Sequence, residues 1–329
     1  MINVSIIVPC LNEQATIESL LKAIYQQTYP RDEMEVIIAD GLSIDNTREV
    51  ITNFSQTYPD LRVRIVDNEK RNIPSGLNRA IEVAQGKYLL RLDAHSKPYP
   101  DYVERCVQAL VRGVGDNVGG VWEIKPGSKG WIPASIAFAA SHPFGVGDAR
   151  YRLGGEPQYV ETVPFGSYHR SLIERIGFYN EKLLTNEDYE FNVRIRQAGG
   201  KIWFDPAIRS IYFARSSLRE LMKQYWRYGF WKARMLRMYP NSIRFRQYIP
   251  PLFVFSLLFI LLGMFFYSSF IILLIVEILI YVIFLLIAGI HAYLQQRELK
   301  LLFGVPIAMA TMHIAWGSSF LWSIVREWV

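Results

Sequence analysis

Three short stretches of this 329-residue chain carry side chains whose types and spacing could do chemistry. In Arg91-Leu92-Asp93-Ala94-His95 an apolar run feeds a carboxylate, a small residue and an imidazole. Asp93 and His95 are two apart, so both can face one divalent ion at a strand end. Such an ion could act as a Lewis acid toward a diphosphate leaving group; the plainer alternative is a loop histidine in water. In Thr185-Asn186-Glu187-Asp188-Tyr189-Glu190 the acids crowd the start of an expected helix. The helix dipole favours negative charge there for structural reasons alone, and one of these acids could equally be a general base that takes a proton from a hydroxyl. In Gln224-Tyr225-Trp226-Arg227-Tyr228, Gln224 and Arg227 are three apart and share a helix face. They could hold diphosphate oxygens or a sugar, or simply belong to a basic, aromatic interface helix.

These residues need a scaffold, and hydrophobic patterning supplies one. Val4–Val8 reads as a buried strand stopped by Pro9, followed by a helix over Asn12–Tyr25 with Ile17, Leu20, Leu21 and Ile24 at helical spacing. Strands then read at Val36–Ala39, Val63–Val66 and Tyr88–Leu92, with helices at Asp45–Phe54, Ser75–Ala84 and Pro100–Arg112. This alternation predicts a parallel α/β sheet with helices on both faces. In such sheets ligands bind outside the carboxyl ends of the strands. Asn12, Glu13, Asp40 and Asp93 stand at those ends. Beyond them the pattern predicts a strand over Gly119–Ile124, a long irregular insertion, a helix over Tyr189–Gln197 and a strand over Gly199–Phe204.

The remainder changes character. Hydrophobic residues make up 51% and aromatics 14% of the chain, which hints at a membrane portion. The net charge of +6 is concentrated: from Lys201 to Arg246 eleven Lys and Arg face only Asp205 and Glu220, whereas the charges after Arg246 cancel. Within that block Ser216–Tyr239 mixes aromatics with basic residues, as a helix lying in a membrane interface does. A basic block ahead of an apolar tail favours anionic headgroups. No nucleic-acid motif accompanies it, so membrane lipid rather than nucleic acid is the expected partner. Leu252–Ile290 holds one charge, Glu277, and is about two spans long at roughly 20 residues per span. Tyr267-Ser268-Ser269 reads as the hairpin between them, and Leu301–Val325 as a third span. The expected organisation is residues 1–215 catalytic, 216–246 interfacial and 247–329 transmembrane, with spans at 252–267, 269–290 and 301–325. Basic flanks before the first span and after the second place both on the cytoplasmic side. No secretory signal is visible at the N-terminus. Cys10 and Cys106 lack metal-ligand spacing and read as core residues. Glu277 inside a span is a candidate functional carboxylate or a packed, protonated one.

Taken in order, the motifs resemble family 2 glycosyltransferases of the GT-A fold. The stretch from Val4 through Pro9 and Asn12-Glu13 looks like the family's first strand and turn. Ile37 to Thr47, through Asp40-Gly41, is similar to its second strand and turn, and Asn72 to Ile81 to the helix that covers the nucleotide. Arg91 to His95 stands where the family has its Asp-x-Asp motif. Gly166 to Glu181 resembles the acceptor-side loop, and Thr185 to Phe191 the Glu-Asp catalytic element. Gln224 to Tyr228 departs in its last residue from the Gln-x-x-Arg-Trp of processive synthases. The Asp-Ala-His form with a C-terminal apolar tail looks most like succinoglycan-type exopolysaccharide glucosyltransferases. The resemblance covers residues 1 to about 235 and implies an inverting transfer from a nucleotide-sugar donor, UDP-linked by expectation, to a lipid-linked (polyprenyl-diphosphate) acceptor at the cytoplasmic membrane. It implies Pro9, Asn12, Glu13, Asp40, Ser75, Gly76 and Asn78 around the nucleobase and ribose. Asp93 would contact the nucleotide and, with His95, Mn²⁺ or Mg²⁺. Asp188 would be the base with Glu187 beside it, and Gln224 and Arg227 would hold the diphosphate or acceptor. An imidazole at position 95 favours Mn²⁺. A polyprenyl-phosphate sugar transferase and a non-enzymatic membrane subunit are the competing expectations.

Overall fold

The computed structural model describes residues 1–326. In chain order the elements are β1 (Val4–Cys10), α1 (Ile17–Tyr25), β2 (Met34–Asp40), α2 (Thr47–Thr57), β3 (Arg62–Asp67), α3 (Ile73–Val83), β4 (Tyr88–Arg91), β5 (Lys97–Pro98), α4 (Tyr102–Val111) and β6 (Asn117–Lys125). There follow α5 (Trp131–Ala140), α6 (Pro143–Val146), α7 (Arg150–Leu153), β7 (Gln158–Tyr159), β8 (Ser167–His169), α8 (Ser171–Ile176), α9 (Glu187–Gln197) and β9 (Ile202–Phe213). Last come α10 (Leu218–Met238), α11 (Phe245–Gly263), α12 (Phe270–Gln296) and α13 (Leu301–Val325). The chain forms two compact units. One comprises Met1–Glu123 and Gly154–Tyr212; the other comprises Ile124–Leu153 and the chain from Phe213 onward.

The first unit is built on one sheet in the order β3-β2-β1-β4-β8-β6-β9-β5, with β7 against β9. β1 and β2 are buried along their whole length, as strands covered on both faces must be. β1 pairs in parallel with β2 and β4, and β2 with β3. The all-parallel expectation stops there, because β8 joins β4 antiparallel and β6 joins β8 antiparallel. The sheet is therefore mixed. The first helix also starts later than expected, at Ile17 rather than Asn12, because Asn12 takes a left-handed φ of 54° and the intervening residues turn. Leu20, Leu21 and Ile24 still face the core beside Val4, Ile6 and Val8.

In the second unit α11, α12 and α13 are 19, 27 and 25 residues long, each long and apolar enough to cross a membrane. Rows of exposed apolar side chains run along α11 (Leu258, Phe259, Leu262) and α12 (Ile272, Ile275, Leu279, Ile283). Patches this large fit hydrocarbon rather than water. α11 starts ahead of the expected window at 252–267 and stops short of its end, at Gly263, while α12 runs past the window at 269–290. The added turns carry polar residues such as Arg246, Gln247 and Gln295. α13 is the inner helix, with Val305, Ala308, Met309 and Met312 fully buried. α10 meets it at Gly229, where a Cβ would stand 2.3 Å from the Trp316 carbonyl oxygen. The stretch expected to be an irregular insertion contains α5, which packs against α13 in this unit. Its apolar residues lie on all sides, so no amphipathic period marks it.

The tightest backbone approach in the first unit lies between β6 and β9. A Cβ on Gly120 would stand 1.7 Å from the Ile208 carbonyl oxygen, and backbone cannot yield as a side-chain tip can. Gly120→Ala is expected to lower stability by about 2 kcal/mol or more. Thermal unfolding of the detergent-solubilised protein should show a clear drop in Tm, and an unchanged Tm would refute the close approach.

Candidate active site

The carboxyl ends of β1, β2 and β4 converge on one edge of the sheet. The turns after β1 and β2 are stitched together by reciprocal bonds. Asn12 N donates to Ser43 Oγ at 2.8 Å, and Ile44 N donates back to Asn12 Oδ1 at 2.9 Å. Glu13 N donates to Thr47 Oγ1 at 2.8 Å. The left-handed backbone of Asn12 turns the chain so that its side chain and its N–H both reach the neighbouring loop.

Asp40, fully buried, ends β2. It accepts from the backbone N–H of Ser43 at 3.1 Å, from the Ser43 hydroxyl and from Arg48 Nε at 2.5 Å. Arg48 also donates to Asp67 at the end of β3. Arg48 and Asp67 were not singled out from the sequence. Their link spans two strand ends, and no local spacing announces it. Gly76 lets α3 lie against β1, since a Cβ there would meet Pro9 Cβ at 3.3 Å. Ser75 Oγ donates to Asn68 Oδ1 at 2.6 Å. Asn78 clamps another segment: its amide donates to the Tyr179 carbonyl and to Glu181 Oε1, each at 2.9 Å, and its Oδ1 accepts from Tyr179 N at 2.9 Å. Ser75 and Asn78 line a polar cavity of about 190 Å³ with Asn68, Lys70, Arg79 and Glu181. That is smaller than the roughly 300 Å³ from which ligand pockets usually start.

The charged centre lies at the end of β4. Arg91, the last residue of the strand, is only 4% exposed. Its Nη2 donates to Asp93 Oδ1 at 3.1 Å and to Glu187 Oε1 at 2.8 Å. Glu187 opens α9 directly after Asn186, which holds a left-handed φ of 67°. Asparagine tolerates that conformation better than most residues, and the turn delivers Glu187 and Asp188 to Arg91. Asp188 Oδ1 accepts from Tyr189 N at 2.7 Å. Burial pushes the Glu187 carboxyl up to about 7; Arg91 opposes the rise, and the neighbouring Asp188 adds to it. Asp188 is raised as well, again first by burial and against Arg91. Two buried carboxylates side by side titrate as a coupled pair, and carboxyls held above their ordinary range suit proton transfer near neutrality.

His95 lies across from the β1 turn, with Nδ1 3.1 Å from Glu13 Oε1. A carboxylate oxygen can only accept, so Nδ1 carries the proton. Glu13 thus acts on the imidazole, a role its position at a strand end did not reveal. Among the described residues no three His, Cys, Asp or Glu side chains cluster as a cation site. The structure brings Glu13 to His95, and Asp93 to Glu187 through Arg91. Gln224 and Arg227 stand on α10 in the second unit, where Gln224 donates to the Tyr228 hydroxyl at 2.9 Å. Cys10 and Cys106 are buried free thiols, as expected of core residues.

A mixed α/β sheet with acids gathered at its strand ends, followed by membrane-length helices, defines a GT-A-like glycosyltransferase with a membrane region. The chain belongs to the family described as Glycosyl transferase family 2, whose profile matches residues 5–177. It is 32% identical over 247 residues to the succinoglycan biosynthesis protein ExoA of Rhizobium meliloti, covering 74% of this chain and 73% of that protein. It is 28% identical over 329 residues to a dolichyl N-acetyl-alpha-D-glucosaminyl phosphate 3-beta-D-2,3-diacetamido-2,3-dideoxy-beta-D-glucuronosyltransferase of Methanococcus voltae, covering 98% and 97% of the two chains. Its fold is similar to that of the mannosyltransferase PcManGT of Pyrobaculum calidifontis, solved with GDP-Man and Mn²⁺. The TM-score is 0.58 and the identity 22%, covering 74% of this chain and 65% of that one.

The raised Glu187 carboxyl carries a stability signature. Its folded pKa lies above its ordinary value of 4.5, so the folded state holds the proton more tightly than the unfolded state does. Its contribution is fully present below that value and is lost as pH rises toward about 7. The Glu187→Gln variant lacks this titration. The Tm difference between variant and wild type should therefore move in the variant's favour between pH 5 and pH 7.5. A difference that stays constant across that window would mean that Glu187 ionises as an ordinary carboxyl.

Proposed function

We propose that this protein is an inverting glycosyltransferase that moves a sugar from a nucleotide-diphosphate donor, a UDP-sugar by preference, to a saccharide carried on a polyprenyl diphosphate at the cytoplasmic face of the membrane. The observation that carries the reading is the buried acid pair Glu187–Asp188, held by Arg91 beside Asp93. The near full-length likeness to a transferase named for a dolichyl-phosphate-linked sugar supports a lipid-borne acceptor. The three apolar helices support delivery of that acceptor from the bilayer.

The donor nucleotide lies along the strand ends, with Pro9, Asn12, Glu13, Asp40, Ser75, Gly76 and Asn78 forming its base and ribose side. Asp188 is the catalytic base. The acceptor hydroxyl oxygen attacks the anomeric carbon from the face opposite the nucleotide, and its proton passes to the Asp188 carboxylate. The bond from the anomeric carbon to the diphosphate breaks, and its electrons leave with the nucleotide. A single displacement inverts the anomeric centre. Glu187 beside Asp188 accepts from Arg91 Nη2 and ties the pair to the strand end. Gln224 and Arg227 hold diphosphate oxygens or the acceptor.

A divalent ion fits the donor set next to Asp93. Asp93 Oδ2 has no hydrogen-bond partner among the described residues, while Oδ1 is held by Arg91. The Nδ1 bond of His95 to Glu13 is the carboxylate–histidine pairing common at metal sites. Asp93 and His95 would hold the ion, the imidazole favouring Mn²⁺ over Mg²⁺. When bound, the ion supplies Lewis-acid stabilisation of the departing diphosphate.

Asp188→Asn should lower the transfer rate by about 10²–10⁴-fold, the usual worth of a general base. It should leave nucleotide-diphosphate binding, followed by calorimetry, within a few fold of wild type. Transfer at the wild-type rate would remove Asp188 from the role of base. Transfer should also require a lipid-borne acceptor in a donor screen on membranes containing the protein. Equal use of the same saccharide free in water would count against lipid delivery.

A further inference from the structure

Arg91 lies outside the residues that bind donor or acceptor in the reading above, yet it is the side chain that touches both halves of the site. We propose that Arg91 is a positioning residue that links the donor-side carboxylate Asp93 to the acceptor-side pair Glu187–Asp188, so that the base is held in place by the strand that carries the donor. This inference rests on the proposed roles of Asp93 and Asp188.

Three observations carry it. First, a single nitrogen bridges the two sides: Nη2 lies 3.1 Å from Asp93 Oδ1 and 2.8 Å from Glu187 Oε1, and Nε adds a longer contact to the same Asp93 oxygen at 3.4 Å. The planar guanidinium fixes the distance between those carboxylates as a point charge on a flexible stem would not. Second, the bridge is buried. The Arg91 and Glu187 side chains are 5% and 6% exposed, so water does not screen the pair or compete for it. Third, Arg91 Nη1 is buried and has no hydrogen-bond partner among the described residues. A fork chosen for stability alone would be expected to satisfy every donor, because an unmade buried bond is costly. Here one donor, Nη2, is shared between two carboxylates from different elements.

The groups facing Arg91 come from several elements: Asp93 after β4, Glu187 and Asp188 on α9, and Tyr179 in the loop ahead of α9. Tyr168 on β8 and Tyr102 on α4 also feel its charge. The acids outnumber the single guanidinium, so Asp93 and the Glu187–Asp188 pair draw on one cation and are tied through one side chain.

The test uses the full-length enzyme in detergent with nucleotide-sugar donor and lipid-linked acceptor, and the variants Arg91→Lys, Arg91→Met, Glu187→Gln and Arg91→Met/Glu187→Gln. Arg91→Lys keeps the charge and loses the fork, so it guards against a variant that fails to fold. A misplaced catalytic group costs about 10²-fold. Arg91→Met is expected to lower kcat by about that factor, with the donor KM and the Kd for the nucleotide diphosphate changed less than about fivefold. Arg91→Lys should recover part of the lost kcat. The double variant should be no slower than Arg91→Met alone, because both changes cut one link. The proposal is overturned if Arg91→Lys, or a folded Arg91→Met, keeps kcat within about threefold of wild type. It is also overturned if the loss appears in donor KM rather than kcat, or if the single effects multiply in the double variant. If Asp188→Asn retains full activity, the base assignment fails first; if Asp188→Asn is inactive and Arg91→Lys is not impaired, the link alone fails.

Discussion

A guanidinium cannot shed its charge inside a protein, and Arg91 is buried at the end of a central strand. That constraint organises the first unit. Removing a charge from water costs several kcal/mol unless carboxylates compensate it at close range. Asp93 is too near in sequence to suffice, so the chain must bring acids from elsewhere. It does so by starting α9 where Glu187 meets Nη2. The left-handed Asn186 and the Asn78 clamp on Tyr179 fix the approach of that helix from two sides. Glu187 and Asp188 in turn are buried carboxylates that would be intolerable without the cation. Neither the acids nor the arginine is stable alone in this position, so the site and the packing of α9 are one arrangement.

The second strand end works on the same logic with less burial. Asp40 is fully enclosed, yet Arg48 beside it is half-exposed and shared with Asp67. Screening is stronger there, and the bond geometry serves to shape two turns. The difference matters chemically. The raised carboxyls Glu187 and Asp188 lie beside Arg91, where desolvation outweighs the attraction of the cation.

The sequence made parts of this legible for physical reasons. The fully buried strands Val4–Cys10 and Met34–Asp40 carry the apolar runs Ile6–Val8 and Val36–Ala39, which mark them as covered on both faces. Asp93, His95, Glu187 and Asp188 could be picked out because carboxylates and imidazoles at strand and helix ends are conspicuous. Arg91 stood in the same motif without attracting notice. Its meaning depends on Glu187, 96 residues away, and no local pattern encodes that contact. The antiparallel entry of β8 was illegible for a related reason: three residues carry too little periodicity to state a direction. Asn12 misled because its helix-compatible neighbours conceal a positive φ.

In the second unit the governing constraint is the absence of water. Polar groups within a span must find partners in protein. His313 Nε2 donates to the Phe144 carbonyl at 2.9 Å, which leaves Nδ1 to accept from the Tyr281 hydroxyl at 3.0 Å. His142 Nδ1 accepts from Phe144 N, so its Nε2 donates to His291 Nδ1 at 3.1 Å. Phe144 also stacks on Phe284 at 3.9 Å between centroids. Two histidines from different helices thus dock the short turn of α6, which explains why imidazoles occur in otherwise apolar helices. Glu277 follows the same rule by accepting from Ser256 Oγ at 2.5 Å. A bonded partner of this kind weakens the case for Glu277 as an intramembrane functional group, because packing alone accounts for its presence. These polar groups of the helical unit are bonded within it, whereas the sheet edge carries raised carboxyls at Glu187 and Asp188.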